Sequence, residues 1–327
     1  MTYHSHFHYQ TSRETEEFNS RAVLEAINEI LIEKVFTATT KLSDEAILGF
    51  VSSLVLVSKS EIGGESKKDI SGVGRATDDT RIFSLQKLVE VADHNMNIRS
   101  RRSWAKIWEL MADHFVTIGC HKNAIVSMFA IDALRQLSFK FLEKPELADF
   151  NFQRLFLQPF LSIMENTESR EDTRELILQC VDNSIRSMYH NIRSGWKIFF
   201  SILMLTANDV SDKINSFGLT ILQRLLDDHF DQLCGIDANS SSNVKLPNGQ
   251  EISASEGKER NIHVEDFIGL CRASMAFVES QKDNSTENSM RALCHASVYA
   301  DQIAEGKILP PVSGIQVSLF VSQYTCT

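Results

Sequence analysis

The stretch that most constrains the fold of this chain is residues 80–115, because two amphipathic helices follow each other there. A stripe of apolar side chains at helical spacing marks the second helix: Trp104, Ile107, Trp108, Met111, Ala112 and Phe115. The same pattern marks the first helix: Leu85, Leu88, Val89 and Ala92. Both apolar faces must be buried, so the stretch predicts two helices that need further packing partners.

Further amphipathic helices begin near residues 123, 172 and 212, roughly every 40 to 50 residues, which is the period of HEAT and armadillo repeats. In such repeats each helical hairpin buries its apolar side only against its neighbours. Strands that alternate with helices are absent from the pattern, which excludes a doubly wound nucleotide-binding fold. The predicted fold class is therefore all-α, an α-solenoid of HEAT/armadillo-like helical hairpins.

Composition changes along the chain predict its domain organisation. The expected segments are a disordered tail (1–20), a helical-repeat domain (21–234), a polar loop (235–262), a further hairpin (263–309) and an irregular tail (310–327). In the first tail His4, His6 and His8 alternate, but no acidic or cysteine ligand accompanies them, which favours a tail over a metal site. The abrupt ends suggest a segment of a longer protein.

The composition also bounds the function. The net charge of −10 argues against nucleic acid as a partner, since phosphate contacts favour a basic protein. The six cysteines are scattered singly and are expected to be buried thiols of a reducing compartment. No catalytic or phosphate-binding motif occurs in a plausible context, so we expect neither an enzyme nor a cofactor. Because a long apolar run and a signal peptide are missing, a cytoplasmic or peripheral membrane protein is expected.

Several local features carry their own expectations. Gly119 is predicted to end the second helix at the C′ position, and Pro159 is predicted to start or kink a helix near residues 157–159. Asp132 and Arg135 form either a buried ion pair between layers or a solvated pair on one helix. His229 is interpreted as a cation near a helix C-terminus rather than as a ligand.

Basic side chains at helix corners are the candidate interaction residues. Arg99, Arg101 and Arg102 cluster between the first two helices, and Lys106 follows one turn later. Lys197 lies beside Trp196 at the start of another helix. Two interpretations stay open: a solvated helix corner, or a contact surface for an acidic partner or anionic lipid head groups.

A chain of motifs resembles one family. The motifs are RIFSLQKLVEVADHNM (81–96), RSRRSWAKIWELMADHF (99–115), DALRQLSFKFLEKPELADFNFQ (132–153), FLQPF (156–160), TRELILQCV (173–181) and IRSGWKIFF (192–200). They are similar to the helical repeats downstream of the exchange domain in large Arf guanine-nucleotide exchange factors, in particular the brefeldin A-inhibited members of the trans-Golgi. The resemblance extends from Val35 to Gly306. It departs at the arginine corner, where one extra residue precedes Trp104.

The resemblance implies a non-catalytic regulatory region that binds the GTP form of an Arf-family GTPase, the anionic Golgi membrane surface, or other regions of the parent exchange factor. It implies a location in the cytoplasm, peripheral on trans-Golgi network membranes. The exchange domain is expected upstream and outside this chain. The alternative is a HEAT-repeat adaptor or transport scaffold unrelated to Arf.

Overall fold

A computed structural model describes residues 13–26, 29–63, 81–144, 146, 151–166, 169–233, 244–245, 251–252 and 264–280. Eleven α-helices account for nearly all of these: α1 (Arg13–Ala26), α2 (Glu29–Thr37), α3 (Asp44–Gly63), α4 (Phe83–Met96), α5 (Arg101–Gly119), α6 (Ala124–Leu142), α7 (Phe152–Glu165), α8 (Glu171–Met188), α9 (Trp196–Ala207), α10 (Asp212–Leu233) and α11 (Val264–Glu279). Two-residue strands β1 (Val244–Lys245) and β2 (Glu251–Ile252) pair antiparallel within the predicted polar loop. The predicted all-α class is confirmed.

The chain divides into two compact units, Met1–Ile107 and Trp108–Thr327. In the second unit α6, α8 and α10 pack side by side in one layer, and α7, α9 and α11 pack in the other. Contacts of α7 with α6 and α8, and of α9 with α10, join the layers. Packing of each helix on the next but one is the arrangement of stacked helical hairpins, so the HEAT/armadillo-like prediction is confirmed here.

An aromatic cluster joins α5, α6 and α7 within the second unit. The ring of Trp108 stacks on that of Phe156 at 4.0 Å between centroids, and the ring of Phe141 stacks on that of Phe156 at 4.6 Å. Phe115 completes the stack on α5, with its ring centroid 6.1 Å from that of Trp108. All four side chains are buried, which makes this cluster the densest aromatic part of the described core.

Pro159 lies inside α7, which begins at Phe152, so the predicted start near residues 157–159 is wrong. A proline cannot donate the helical hydrogen bond to the carbonyl four residues earlier. That carbonyl belongs to Leu155, and it accepts a hydrogen bond from the indole Nε1 of Trp108 at 3.4 Å. The proline therefore frees a backbone acceptor for a neighbouring helix.

Ion pairs connect the helices of the layer formed by α6, α8 and α10. Arg174 on α8 binds Asp209, in the turn before α10, through both Nε and Nη2, and both side chains are largely buried. Asp182 on α8 pairs with Arg224 on α10 and with Arg186 one turn along α8. The predicted pair of Asp132 and Arg135 is the solvated one of the two alternatives, since its side chains are 44% and 36% exposed.

In the first unit α4 packs against α2 and α3. Phe36 of α2 lies at the centre and makes edge-on contacts with Phe50 and Phe83. The amine of Lys87 lies over the Phe36 ring and binds the carboxylates of Glu33 and Glu90. Desolvation acts to lower the pKa of Lys87, but these hydrogen bonds outweigh it and the pKa is raised.

Among the described residues, α3 is the one helix long and apolar enough to cross a membrane by length and composition, with a mean hydropathy of 1.5. The expectation that no such run exists is therefore wrong. One face of α3 is buried in this structure, with Ile47, Val51 and Val55 turned inward. A core helix passes the same test, so α3 is weak evidence for a membrane span.

Three predicted details of the helices differ in the structure. The first helix begins at Arg13, so residues 13–20 are helical rather than part of a disordered tail. Helical spacing from Arg21 to Ala38 predicts a buried stripe, but Val23 on α1 and Ile30 and Leu31 on α2 are exposed. Helical spacing after residue 123 predicts Ile125 and Met128 as inward residues, but both are exposed on α6. The first half of α6 is apolar on nearly every side, so periodicity alone does not define its buried face.

Gly119 is the last residue of α5 rather than its C′ residue, and its backbone has no positive φ. A Cβ atom at this position would lie 2.4 Å from Cδ1 of Ile163 on α7. The glycine is therefore explained by the close approach of α5 and α7 and not by a left-handed helix end.

Gly218 lies at a second close approach of two helices, between α9 and α10, which a substitution can test. A Cβ atom at Gly218 would lie 2.0 Å from Oγ1 and 2.7 Å from Cβ of Thr206. Gly218→Ala should therefore destabilise the second unit by about 1–3 kcal/mol, although alanine is the better helix former by about 1 kcal/mol. Urea denaturation of Gly218→Ala and of Gly218→Ala/Thr206→Ala checks this. The second change should recover part of the loss, because it removes Oγ1 of Thr206 but keeps its Cβ, 2.7 Å from the added atom. Equal destabilisation of both variants would contradict the steric explanation.

Candidate interaction site

The structure places Arg99 inside the fold of the first unit. Its side chain is 8% exposed, and its Nη1 donates to Oδ1 of Asp44 at 3.0 Å. Its Nε donates to Oδ1 of Asn95 at 3.1 Å, and its Nη2 donates to the Thr39 carbonyl at 2.9 Å. All three nitrogens of the guanidinium thus donate within the chain, so Arg99 ties the residues after α4 to the start of α3.

Arg102 and Lys106 remain at the surface and line a groove of about 400 Å³ between α3 and α5. Asp44, Glu45, Leu48 and Ser103 form the rest of its lining. Arg101 is half-buried and has interactions of its own within the chain. The predicted arginine corner is therefore divided: Arg99 is structural, whereas Arg102 and Lys106 face a groove of mixed charge. Partner binding by the corner stays a prediction.

Asp44 closes one end of this groove. The hydroxyl of Ser103 donates to Oδ2 of Asp44 at 2.6 Å, and this bond, followed by that from Arg99, lowers the pKa of the carboxyl below 3.8. A carboxyl whose pKa is lower in the folded state stabilises that state above its unfolded pKa and loses this effect as the pH falls through the folded pKa. The link between α3 and α5 should therefore weaken only below about pH 3.8.

Ser103→Ala tests this link. It should raise the pKa of the Asp44 carboxyl toward 3.8, because the largest cause of the shift is removed. Carboxyl-detected NMR titration of the variant and of the unchanged chain checks the direction. Ser53→Ala is the matched control, since the hydroxyl of Ser53 donates to the Gly49 carbonyl within α3. An unchanged pKa of Asp44 in Ser103→Ala would contradict the assignment.

Lys197 lies in the second unit, where the first residues of α7 and α9 meet. Gln153 on α7 is fully buried, and its Nε2 donates to the Asn191 carbonyl at 2.7 Å. Its Oε1 accepts from the backbone N–H of Arg193 at 2.8 Å and of Gly195 at 3.4 Å. One side chain therefore fixes the backbone that leads into α9.

Glu146 holds the same two segments from the other side. Its Oε1 accepts from the backbone N–H of Gln153 at 2.8 Å and from the hydroxyl of Ser194 at 2.7 Å. Its Oε2 accepts from the Ser194 N–H at 2.9 Å, and the Asn191 amide donates to the Leu142 carbonyl at 3.0 Å. We call Glu146, Gln153, Asn191 and Ser194 the polar clasp. It joins α6, α7 and α9 at one end of the helices.

Three cations surround the polar clasp at the surface: Arg154, Arg193 and Lys197, which we call the basic edge. All three are exposed, and no ion pair involves them among the described residues. Their backbone positions are close, since the N–H of Arg154 donates to the Ser194 hydroxyl at 3.1 Å. The sequence analysis singled out Lys197 alone. The two arginines were missed because residues 40 apart carry no periodic signal of contact.

The described side chains offer little for catalysis or for metal binding. No group of three or more His, Cys, Asp or Glu residues lies close enough to hold a metal ion within the described ranges. Cys180 and Cys271 are free and buried, and burial raises the pKa of each thiol to about 12. Such thiols stay protonated and inert at neutral pH. The His4, His6 and His8 alternation lies outside the described residues, and so does the side chain of His229.

Comparison with known proteins shows what this region is similar to. Residues 140–224 match the family model described as Sec7-like HDS, Mon2/Sec7/BIG1-like. This range contains the polar clasp and the basic edge. The resemblance to the brefeldin A-inhibited exchange proteins is confirmed. The matched residues run from the end of α6 to the middle of α10.

Sequence identity to individual proteins agrees with the family-model match. This chain is 40% identical over 199 residues to brefeldin A-inhibited guanine nucleotide-exchange protein 3 of Arabidopsis thaliana, an alignment that covers 61% of this chain and 11% of that protein. It is 42% identical over 185 residues to brefeldin A-inhibited guanine nucleotide-exchange protein 1 of Homo sapiens, an alignment that covers 57% of this chain and 9% of that protein. The chain therefore spans about a tenth of the length of these relatives.

Proposed function

We propose that this chain is a non-catalytic interaction region of an Arf guanine-nucleotide exchange factor, and that it binds the GTP form of an Arf-family GTPase. The observation that carries the proposal is the HDS match at residues 140–224, which falls on helices packed as stacked hairpins. Such a stack offers an extended surface whose stability does not depend on any one contact.

The proposal includes a location and a role. In vesicle-mediated transport at the Golgi, the region would act in the cytoplasm on trans-Golgi network membranes. It would contact the anionic membrane surface and other regions of the parent exchange factor, whose exchange domain it would regulate. Support comes from the relatives, whose names describe nucleotide-exchange proteins inhibited by brefeldin A. Arg102 and Lys106 are the exposed members of the predicted contact set in the first unit.

A flotation assay tests the proposal. Liposomes that carry Arf in its GTP form should retain the chain, whereas liposomes that carry the GDP form should not. Equal retention by both forms would overturn the proposal and favour a HEAT-repeat scaffold unrelated to Arf. The chain alone should not accelerate nucleotide release from Arf, and measured release would contradict the non-catalytic assignment. Arg102→Glu/Lys106→Glu tests the groove, with Lys59→Glu on the exposed side of α3 as the matched control.

A further inference from the structure

We propose that the basic edge, formed by Arg154, Arg193 and Lys197, is a docking surface for an acidic polypeptide segment. This proposal deepens the proposed function. It rests on that function only where the acidic segment is taken to belong to an Arf-family GTPase. The occupant is defined by its chemistry: a segment that presents two or three carboxylates around one apolar side chain.

The local charge is the first support for an acidic occupant. Residues 140–154 and 189–197 contain five lysines and arginines against three acidic residues, although the whole chain carries a net charge of −10. Elsewhere in the second unit the arginines of α8 and α10 are paired: Arg174 with Asp209, and Arg186 and Arg224 with Asp182. The cations of the basic edge have no such carboxylate within the described residues, so an incoming carboxylate meets no internal competitor there.

The fixed geometry of the basic edge is the second support. The N–H of Arg193 is held by Gln153, and the N–H of Arg154 is held by Ser194. Both arginines thus start from backbone that the polar clasp immobilises, so less conformational entropy remains to be lost when a partner binds. The guanidinium groups that extend from this backbone suit carboxylates, which arginine binds through two parallel hydrogen bonds.

An exposed apolar side chain adjoins the cations. Leu155 is 43% exposed and follows Arg154 directly on α7. Its backbone carbonyl accepts a hydrogen bond from the indole of Trp108 at 3.4 Å, which ties this turn of α7 to α5. An apolar contact flanked by charges is the usual composition of a protein–protein contact surface, in which the apolar part supplies burial and the charges select the partner.

A polypeptide fits these observations better than a lipid surface does. Sequence-readable binding of anionic lipids relies on clusters of about four to eight lysines or arginines and needs no fixed side-chain geometry. The basic edge has three cations, and the hydrogen bonds of the polar clasp would be superfluous for diffuse attraction to a membrane. Recognition of a few carboxylates on a polypeptide uses both the small number of charges and the fixed backbone that carries them.

Fluorescence anisotropy on the full chain tests the proposal. The probe is a labelled synthetic peptide with glutamate pairs on both sides of a leucine, and its counterpart has glutamine in place of every glutamate. The glutamate peptide should bind and the glutamine peptide should not, and binding should weaken as salt is raised. Arg154→Glu/Arg193→Glu/Lys197→Glu should lower the affinity at least tenfold. Arg272→Glu, which reverses an exposed cation on α11, should leave it unchanged.

The neutral variant with glutamine at the same three positions keeps the test decisive if charge reversal disturbs folding, and far-ultraviolet circular dichroism checks the helix content of both. Failure of the glutamate peptide to bind, or equal binding by the triple variants, would overturn the proposal. Loss of binding to phosphatidylserine vesicles with no effect on the peptide would overturn it in favour of a lipid surface. Flotation with GTP-loaded Arf separates the two proposals: if the triple variant retains Arf binding, the proposed function stands and the basic edge is not the Arf contact.

Discussion

Trp108→Ala should lower the free energy of unfolding of the second unit by about 3–5 kcal/mol, the range for removal of a buried tryptophan. The side chain is fully buried and stacks on Phe156 at 4.0 Å. Its loss would leave a cavity among rings on three helices, and it would also leave the Leu155 carbonyl without its indole donor. Because Pro159 has no N–H, α7 has no helical donor to replace the indole.

Urea denaturation followed by circular dichroism measures the effect. Trp108→Phe separates its two causes, since phenylalanine keeps most of the ring stacking but lacks the indole N–H, and it should cost about 1–2 kcal/mol. Leu110→Ala is the matched control, because Leu110 is partly exposed on the same helix. A cost below about 1 kcal/mol for Trp108→Ala would show that the aromatic cluster is not a principal source of stability.

Gln153→Leu should lower the free energy of unfolding by about 2–4 kcal/mol, although the two side chains are similar in size. The change would leave the Asn191 carbonyl and the N–H groups of Arg193 and Gly195 without their partner. Buried polar groups without a hydrogen bond cost more than the bond itself contributes, which explains the large expected loss.

Hydrogen–deuterium exchange provides the second measurement for Gln153→Leu. The segment that precedes α9 should exchange faster, whereas the α8–α10 contact, held by Asp182 and Arg224, should keep its protection. Gln158→Leu on the same helix is the control, because its amide makes one long bond, 3.4 Å to Ser162. It should change stability by less than about 0.5 kcal/mol. Equal losses in the two variants would contradict a special role for the polar clasp.

The predictable parts of this structure are those that a single helix encodes. Helical spacing predicts that Trp196, Phe199 and Leu203 form the inward face of α9, and all three are buried. The helix start near residue 123 was predicted as well, and the Asn123 side chain caps α6 by accepting from the Ile125 N–H at 2.9 Å. Spacing within one helix carries this information because the period of the buried face is the period of the helix itself.

The parts that were missed depend on residues far apart in the chain. The polar clasp joins Glu146 and Gln153 to residues some 40 positions later. The burial of such polar side chains cannot be predicted from a periodic sequence pattern. Arg99 was predicted at the surface, because a sequence does not show whether carbonyls and a carboxylate from another helix surround a guanidinium. The one available signal was positional: Gln153 is the second residue of α7, and Ser194 lies just before α9, where uncapped N–H groups require acceptors.

The packing of each helix on the next but one also has a consequence for how the second unit folds. A contact between α6 and α8, or between α7 and α9, closes a chain loop of only a few tens of residues, so little loop-closure entropy opposes it. Structures dominated by such local contacts fold fast and can nucleate at more than one place. Each pair of adjacent hairpins can therefore begin folding separately. A substitution in the aromatic cluster of α5–α7 should slow the folding of these helices, whereas the contact between α9 and α11 should still form.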